Sequence, residues 1–271
     1  MGAFDEGYGR EPFASLCRDY PGPEVYRPKD FRVEWGPVFH RGRLDGSARA
    51  LVLGQDPGPH ETVVRRILVG EAGQRVQGFL ARLGVDRSYV MLNAFLYSVY
   101  GQGGGERNKD DPDIAAYRHR WLGALLDGTG VDVVVTFGRL AEHAFARWRQ
   151  TPAGAAATVA HHALPHPTYP ESASAAGQKR KADAMREMLG KWNEGLAALA
   201  PHVTRPDVPR PLVPYGEALT KDDLAPVPEA DLPPGLPPWM RDLDAWAHRR
   251  GATTEEKRAT LVVTVPRRHR S

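Results

Sequence analysis

Val131-Asp132-Val133-Val134-Val135-Thr136-Phe137 is the stretch that decides the fold. It is too short for a stable helix and almost wholly apolar and β-branched, the signature of a strand buried on both faces. A strand covered on both sides needs helices above and below it, so the flanking sequence should alternate. It does. Upstream, Arg49–Gly54 is an apolar run ending in a turn, Gln74–Leu83 carries Val76, Phe79, Leu80 and Leu83 at helical spacing, and Tyr89–Phe95 reads as another strand. Asp113–Leu126 follows as a helix opened by Asp111-Pro112-Asp113. Downstream, Leu140–Arg149 is helical, Thr158–Leu164 is a fourth strand, and Ser172–Leu199 is one long amphipathic helix. The expected class is α/β: three αβα layers around a mostly parallel four-stranded sheet.

Proline marks where this pattern stops. Of 24 prolines, 12 fall between Pro201 and Pro266, in runs that continue neither a helix nor a central strand. The division expected is an α/β domain over residues 1–200 and a Pro-rich C-terminal extension over 201–271. Within the extension, Trp239, Met240, Leu243 and Trp246 recur at helical spacing and Leu261–Val265 reads as a short strand, so both pieces are expected to dock on the main domain.

Composition narrows the class. With 41% hydrophobic and 25% charged residues the 271-residue chain is that of a soluble globular protein. Cys17 is the single cysteine, which excludes an internal disulfide and any thiolate-rich metal or iron–sulfur site, and fits a reducing cytoplasm. No apolar run reaches the roughly 20 residues that span a bilayer, and Asp5 and Glu6 interrupt any secretory signal. A net charge of +3 permits a polyanionic partner without requiring one.

Ligands of open α/β sheets bind beyond the carboxyl ends of the strands. Three polar residues are expected there: Asp56 in Gly54-Gln55-Asp56-Pro57-Gly58-Pro59, Asn93 after Val90-Met91-Leu92, and His166 in His166-Pro167-Thr168-Tyr169-Pro170. Each alone has a structural explanation, as a turn residue, a strand-end cap or a loop histidine. Together they offer an acid, an amide and an imidazole on one sheet edge. Lys179, Arg180 and Lys181 open the long helix just after the His166 loop, where they either hold phosphates or form a solvated basic face. Tyr169 either wedges into a base stack or packs on its own domain. Gly101-Gln102-Gly103-Gly104-Gly105 lacks the Gly-Lys-Ser/Thr ending of a phosphate loop and is expected to be a flexible loop. His161 and His162 point to opposite faces of a strand, so no metal site is expected.

The strand-end Gly54-Gln55-Asp56-Pro57, Asn93 and His166-Pro167-Thr168 resemble, in order and on the expected elements, the three motifs of the uracil-DNA glycosylase superfamily. The resemblance spans roughly residues 48 to 195. Val69-Gly70-Glu71-Ala72-Gly73-Gln74 is similar to the family's thermophilic, iron–sulfur branch, whose cluster cysteines are absent here. The resemblance implies a monofunctional DNA N-glycosylase that flips its target nucleotide and needs neither cofactor nor metal. In those terms His166 stabilises the departing base, Asp56 orients water and balances the sugar's positive charge, and Asn93 reads the base edge. Gln55, Gly58 and Leu68 line the base pocket, while Thr168, Tyr169, Lys179 and Arg180 face the DNA. Two positions depart from the family: Gly58 stands where the uracil-specific branch has tyrosine, and Leu68 or Val69 where a phenylalanine stacks on the base. The implied partner is DNA carrying a damaged or modified base, met by a cytoplasmic monomer with no membrane contact. A catalytically weak nucleic-acid-binding module on the same fold is the rival reading. An unrelated hydrolase using Asp56 and His166 ranks last, because no Gly-x-Ser-x-Gly elbow is present.

Overall fold

The computed structural model describes residues 8–241 and 245–269. Five strands form the main sheet: β1 (Arg41–Gly42), β2 (Ala50–Gly54), β3 (Tyr89–Asn93), β4 (Val133–Phe137) and β5 (Ala160–Leu164). They lie in the order β1-β3-β2-β4-β5, parallel except for β1, which pairs antiparallel with β3. The sheet therefore has one strand more than the expected four. Its extra member is two residues long, too short to leave a period in the sequence.

Side-chain alternation sorts the strands onto two cores. Ala50, Val52, Met91, Val133, Val135 and Phe137 face one cluster, and Leu51, Leu53, Val90, Leu92 and Val134 the other. Before the third strand come α1 (Phe13–Arg18), α2 (Pro59–Val64) and α3 (Glu71–Arg82); after it come α4 (Gly101–Asn108), α5 (Pro112–Leu126), α6 (Arg139–Arg149), α7 (Pro152–Ala156), α8 (Tyr169–Ala175) and α9 (Lys181–Leu199). The first cluster is closed by α3 and α9, through Val76, Phe79, Met188 and Trp192. The second is closed by α1, α5 and α6, through Phe13, Trp121 and Phe145. The α5 start is as read: the Asp111 carboxylate accepts from the backbone N–H groups of Asp113 and Ile114 at 3.0 and 3.1 Å.

Three expectations are corrected. The glycine run at 101–105 is the first half of α4, not a loop. The Asp30 carboxylate accepts from Arg107 and Asn108 and fastens the helix, and Gly104 sits where a Cβ would lie 2.7 Å from Val99. The long helix expected over 172–199 is two helices, α8 and α9. They part at Gly177, whose φ of +67° is the left-handed conformation that ends a helix. Trp239 and Met240 lie in a 3-10 turn, Pro238–Arg241, Leu243 lies outside the described residues, and Trp246 precedes a strand instead of continuing a helix.

After α9 the chain makes few regular elements. A two-stranded ribbon, β6 (Ala247–His248) against β7 (Val262–Val263), brackets α10 (Thr254–Ala259). Val203 and Tyr215 join the first core cluster, Val227, Leu232 and Trp246 pack with Val64 and Val69, and single polar side chains add further ties to the sheet domain. Asp207 accepts from the backbone N–H groups of Arg87 and Ser88 at 2.7 and 2.8 Å. Asp223 pairs with Arg82, and Asp231, fully buried, lies 3.4 Å from Arg41 and accepts from the Tyr89 hydroxyl. Among the described residues no helix is long and apolar enough to cross a membrane.

Candidate active site

Because β2, β3, β4 and β5 are parallel, their carboxyl ends reach one edge together, and Gly54 is in register with Asn93. Asp56 and Asn93 therefore stand on adjacent strand ends, with His166 beyond β5 on the other side of β4. Gly54 makes the first pair possible: a Cβ there would lie 2.3 Å from the Asn93 Oδ1. Asn93 is buried at 2% exposure.

The Asp56 Oδ2 accepts from the Val99 N–H at 2.9 Å. Burial raises its pKa from 3.8 to about 6, against the opposing pull of that N–H, Arg249 and Arg32. The carboxylate is thus ionised at neutral pH but held at a cost. Glu61, buried in α2, accepts from the Gly58 N–H at 3.0 Å and the Val69 N–H at 3.3 Å, which ties the Asp56 turn to the loop holding Leu68. That loop is strained: Leu68 has a φ of +55°, unusual for a branched side chain, and its carbonyl lies where any Cβ on Gly73 would fall, 1.6 Å away.

His166 has a defined tautomer. The Thr168 backbone N–H donates to its Nδ1 at 3.2 Å, and the Thr168 hydroxyl lies 2.9 Å from the same atom. A ring whose Nδ1 accepts carries its proton on Nε2, which is thereby a donor. Burial, then the nearby Arg75, lowers the His166 pKa to about 4, so the ring is neutral under ordinary conditions. Arg75 also fixes the loop itself by donating to the Pro167 carbonyl at 2.5 Å and to Glu171 at 3.1 Å.

The remaining candidates divide. The Gln55 carbonyl accepts from the Phe95 N–H at 2.9 Å, and its side chain faces the Leu140 N–H. Gly58 caps α2 at the turn after Asp56. Leu68 is buried among core residues such as Ile67 and Phe137. Tyr169 packs against the same core and donates to Glu187 at 3.2 Å. Lys179 pairs with Glu187, and Arg180 with Asp183 at 2.7 Å, so both charges are met within their own segment. No group of three or more His, Cys, Asp or Glu is placed to hold a metal among the described residues.

An open cleft beside Asp56 is lined by Arg32, Pro59 and Tyr100 on one side and by His248, Arg249 and Arg258 on the other. None of Asp56, Asn93 and His166 is in its lining. Docking of the C-terminal pieces is legible in the sequence, but not that they reach this edge. Glu61 did carry a signal, since an acid three residues into a helix that starts at Gly58-Pro59 is a capping pattern.

The mixed α/β architecture, with its five-stranded, mostly parallel sheet, is that of a uracil-DNA-glycosylase-like fold. The chain belongs to the uracil DNA glycosylase superfamily, whose sequence model matches residues 41–194, more than half of its length. No individually curated protein matches it.

Proposed function

We propose that the protein hydrolyses the N-glycosidic bond of uracil or another deaminated or modified base in DNA, as a monofunctional glycosylase. The observation that carries this reading is the pairing of states at one sheet edge: a half-buried carboxylate, ionised at neutral pH, and a neutral imidazole with its proton fixed on Nε2. Cleavage of this bond leaves positive charge on the sugar and negative charge on the base. Asp56 orients the attacking water and balances the sugar's charge. His166 Nε2–H donates to the base oxygen on which the charge collects, and because the ring is already neutral no proton has to leave it first. Asn93 offers a donor and an acceptor to the base edge. Gln55, Gly58 and Leu68 border the base, and Thr168 acts through His166 as a positioning residue. Tyr169, Lys179 and Arg180 have internal partners, so their contact with DNA requires those pairs to open.

The reading extends to a monomer in a reducing compartment. Burial pushes the thiol of Cys17 up to about 12, which makes it a poor nucleophile and a poor disulfide partner.

The test is release of free base from single- and double-stranded oligonucleotides carrying uracil, hypoxanthine, 5-hydroxymethyluracil or thymine opposite guanine. Base release from any of them, leaving alkali-labile sites, supports the enzyme. The burial of Leu68 favours the rival, a binding module that shifts DNA and leaves every base in place.

A further inference from the structure

We propose that the cleft between the sheet edge and the C-terminal ribbon is a phosphate-binding groove for the DNA strand carrying the target nucleotide, with Arg32, Arg249, Lys257 and Arg258 as its cations. The proposal rests on the glycosylase reading for its partner and on the cleft itself for its chemistry.

Four cations from chain segments some two hundred residues apart line one cleft, and among the described residues no carboxylate lines it. Other surface cations are paired with acids, as in Lys191 with Glu194 at 2.9 Å and Arg210 with Asp86 at 2.7 Å. Arg249 and Lys257 are exposed and form no ion pair among the described residues. The Arg32 and Arg258 guanidinium groups stack on Tyr100, at 4.3 and 4.1 Å from its ring centre. Arg32 is buried, donates to the Ser98 hydroxyl and the Val99 carbonyl, and leaves its Nε without a partner; so does Arg258. Burial and then Arg249 lower the Arg32 pKa to about 10, the mark of positive charge crowded without enough counter-charge. The carboxylates that act on Arg32 are Asp56 and Glu34, the latter accepting from the Tyr100 hydroxyl at 2.8 Å. An anion would relieve this crowding.

The groove is built, not incidental. The His60 Nε2 accepts from the backbone N–H groups of Trp246 and Ala247 at 3.2 and 3.3 Å, and the buried Trp246 indole meets the His60 ring edge-on at 4.6 Å. His60 lies in α2, directly after the Asp56 turn. Arg32 donates to the carbonyl of Val99, and the N–H of Val99 donates to Asp56. The groove is therefore one residue removed from the carboxylate, where the phosphates flanking a flipped nucleotide must pass if its sugar is to lie over Asp56. Several cations spread over both walls suit a run of phosphodiesters better than one free phosphate.

The experiment uses the full chain and a fluorescent single-stranded oligonucleotide of undamaged bases, with affinity followed by anisotropy from 50 to 200 mM salt. Arg249→Ala/Lys257→Ala should weaken binding and reduce the slope of log affinity against log salt by about 1.4, two phosphate contacts at about 0.7 each. Lys191→Ala, which removes one paired charge, should leave the slope as it is. If the double alanine variant melts lower than wild type, Arg249→Gln/Lys257→Gln keeps the side-chain bulk and must show the same loss. An unchanged slope and affinity overturns the groove. So does a variant that loses thermal stabilisation by inorganic phosphate while keeping the wild-type slope on DNA, which would make the cleft a site for a free anion. Because the probe holds no damaged base, a wild type that binds it through these residues yet releases no base from the damaged-base panel sinks the glycosylase reading and leaves the groove standing.

Discussion

The sheet domain and the C-terminal stretch are held together in different ways. Residues 41–199 bury two continuous apolar faces, and losing one contact there leaves many neighbours in place. The described residues after α9 add Val203 and Tyr215 to the first face and share a small apolar cluster, Trp246, Val227 and Leu232 with Val64 and Val69 of the sheet domain; the rest of their attachment is by single polar anchors: Asp207, Asp223, Asp231 and the N–H groups on His60. Two of these anchors complete groups belonging to the sheet domain. Arg41 on β1 is fully buried, and Asp231 is its counter-charge. The Pro-rich stretch is thus part of what keeps the sheet's edge strand in place, and its sparse secondary structure does not make it dispensable.

The hardest test of that contrast is Asp231→Ala. It leaves a guanidinium buried without its carboxylate, a loss of about 3–5 kcal/mol in stability. Replacing both partners, Arg41→Met with Asp231→Leu, should recover most of this, since no buried charge is then left alone. Urea unfolding of the three variants checks it. If Asp231→Ala unfolds like wild type, the stretch is an appendage after all.

Next in size are Asp56→Asn and His166→Ala. Each removes one preorganised group at the proposed transition state and should lower base release by about 10²–10³-fold. Thr168→Val, which keeps the backbone N–H on Nδ1, should cost far less than His166→Ala. Single-turnover rates on the best substrate of the oligonucleotide panel check both, and equal losses at 166 and 168 would move the role away from the imidazole.

How far the two regions were legible follows from how they are held. Burial on two faces writes a period into sequence, so β2, β3, β4 and α5 could be read from Leu51, Val90, Val134 and Trp121 and their spacing. The strand-end rule then placed Asp56, Asn93 and His166 on one edge. Point anchors leave no period. Nothing around Asp231 or Trp246 announces Arg41 or His60 as a partner, and the cleft they help form, with Arg32 and Arg249, was invisible. The break at Gly177 was missed although glycine is a helix-stop residue and the apolar stripe, Met185 to Leu199, lies wholly after it. The helix at Gly101 was missed because its stability comes from Asp30, some seventy residues away, against the poor helix propensity of glycine.

The pH dependence sharpens the same contrast within the site. Asp56 must be ionised to act, so base release should rise with pH through about 6, while His166, already neutral above about 4, adds no second limb nearby. Stability runs the other way for the acid. Folded Asp56 keeps its proton up to about 6 and the unfolded group only to 3.8, so between these values its contribution falls as pH rises. At neutral pH the ionised carboxylate strains the fold, and Asp56→Asn should gain about 1–2 kcal/mol there while losing activity. His166 and His60, both lowered to about 4 from 6.5 mainly by burial, act oppositely: their contribution is lost as pH falls from 6.5 toward 4. Melting curves of wild type and Asp56→Asn between pH 4 and 8 check the signs, and an Asn variant less stable than wild type at pH 7.5 would refute the strained carboxylate.

The smallest expected effect lies at Gly58, for which two explanations compete: a glycine required by the turn, or a missing side chain that opens the pocket. The backbone decides against the first. Gly58 has φ −91° and ψ −174°, extended backbone that any residue adopts. What a side chain would meet is Glu61: a Cβ at 58 lies 2.8 Å from its Oε2, the end of a flexible side chain that also accepts the Gly58 and Val69 N–H groups. Gly58→Ala should therefore displace this cap and cost about 0.5–1 kcal/mol in stability, with little change in substrate preference. Gly58→Tyr adds bulk toward the C5 edge of a flipped pyrimidine, and excluding one small group from an apolar pocket is worth about 1 kcal/mol. The measurement is the ratio of uracil to 5-hydroxymethyluracil release by wild type and both variants. A ratio raised by tyrosine alone assigns Gly58 to the pocket. A ratio moved equally by alanine and tyrosine would mean that the effect travels through Glu61 and the Leu68 loop, and that the open C5 edge plays no part in base choice.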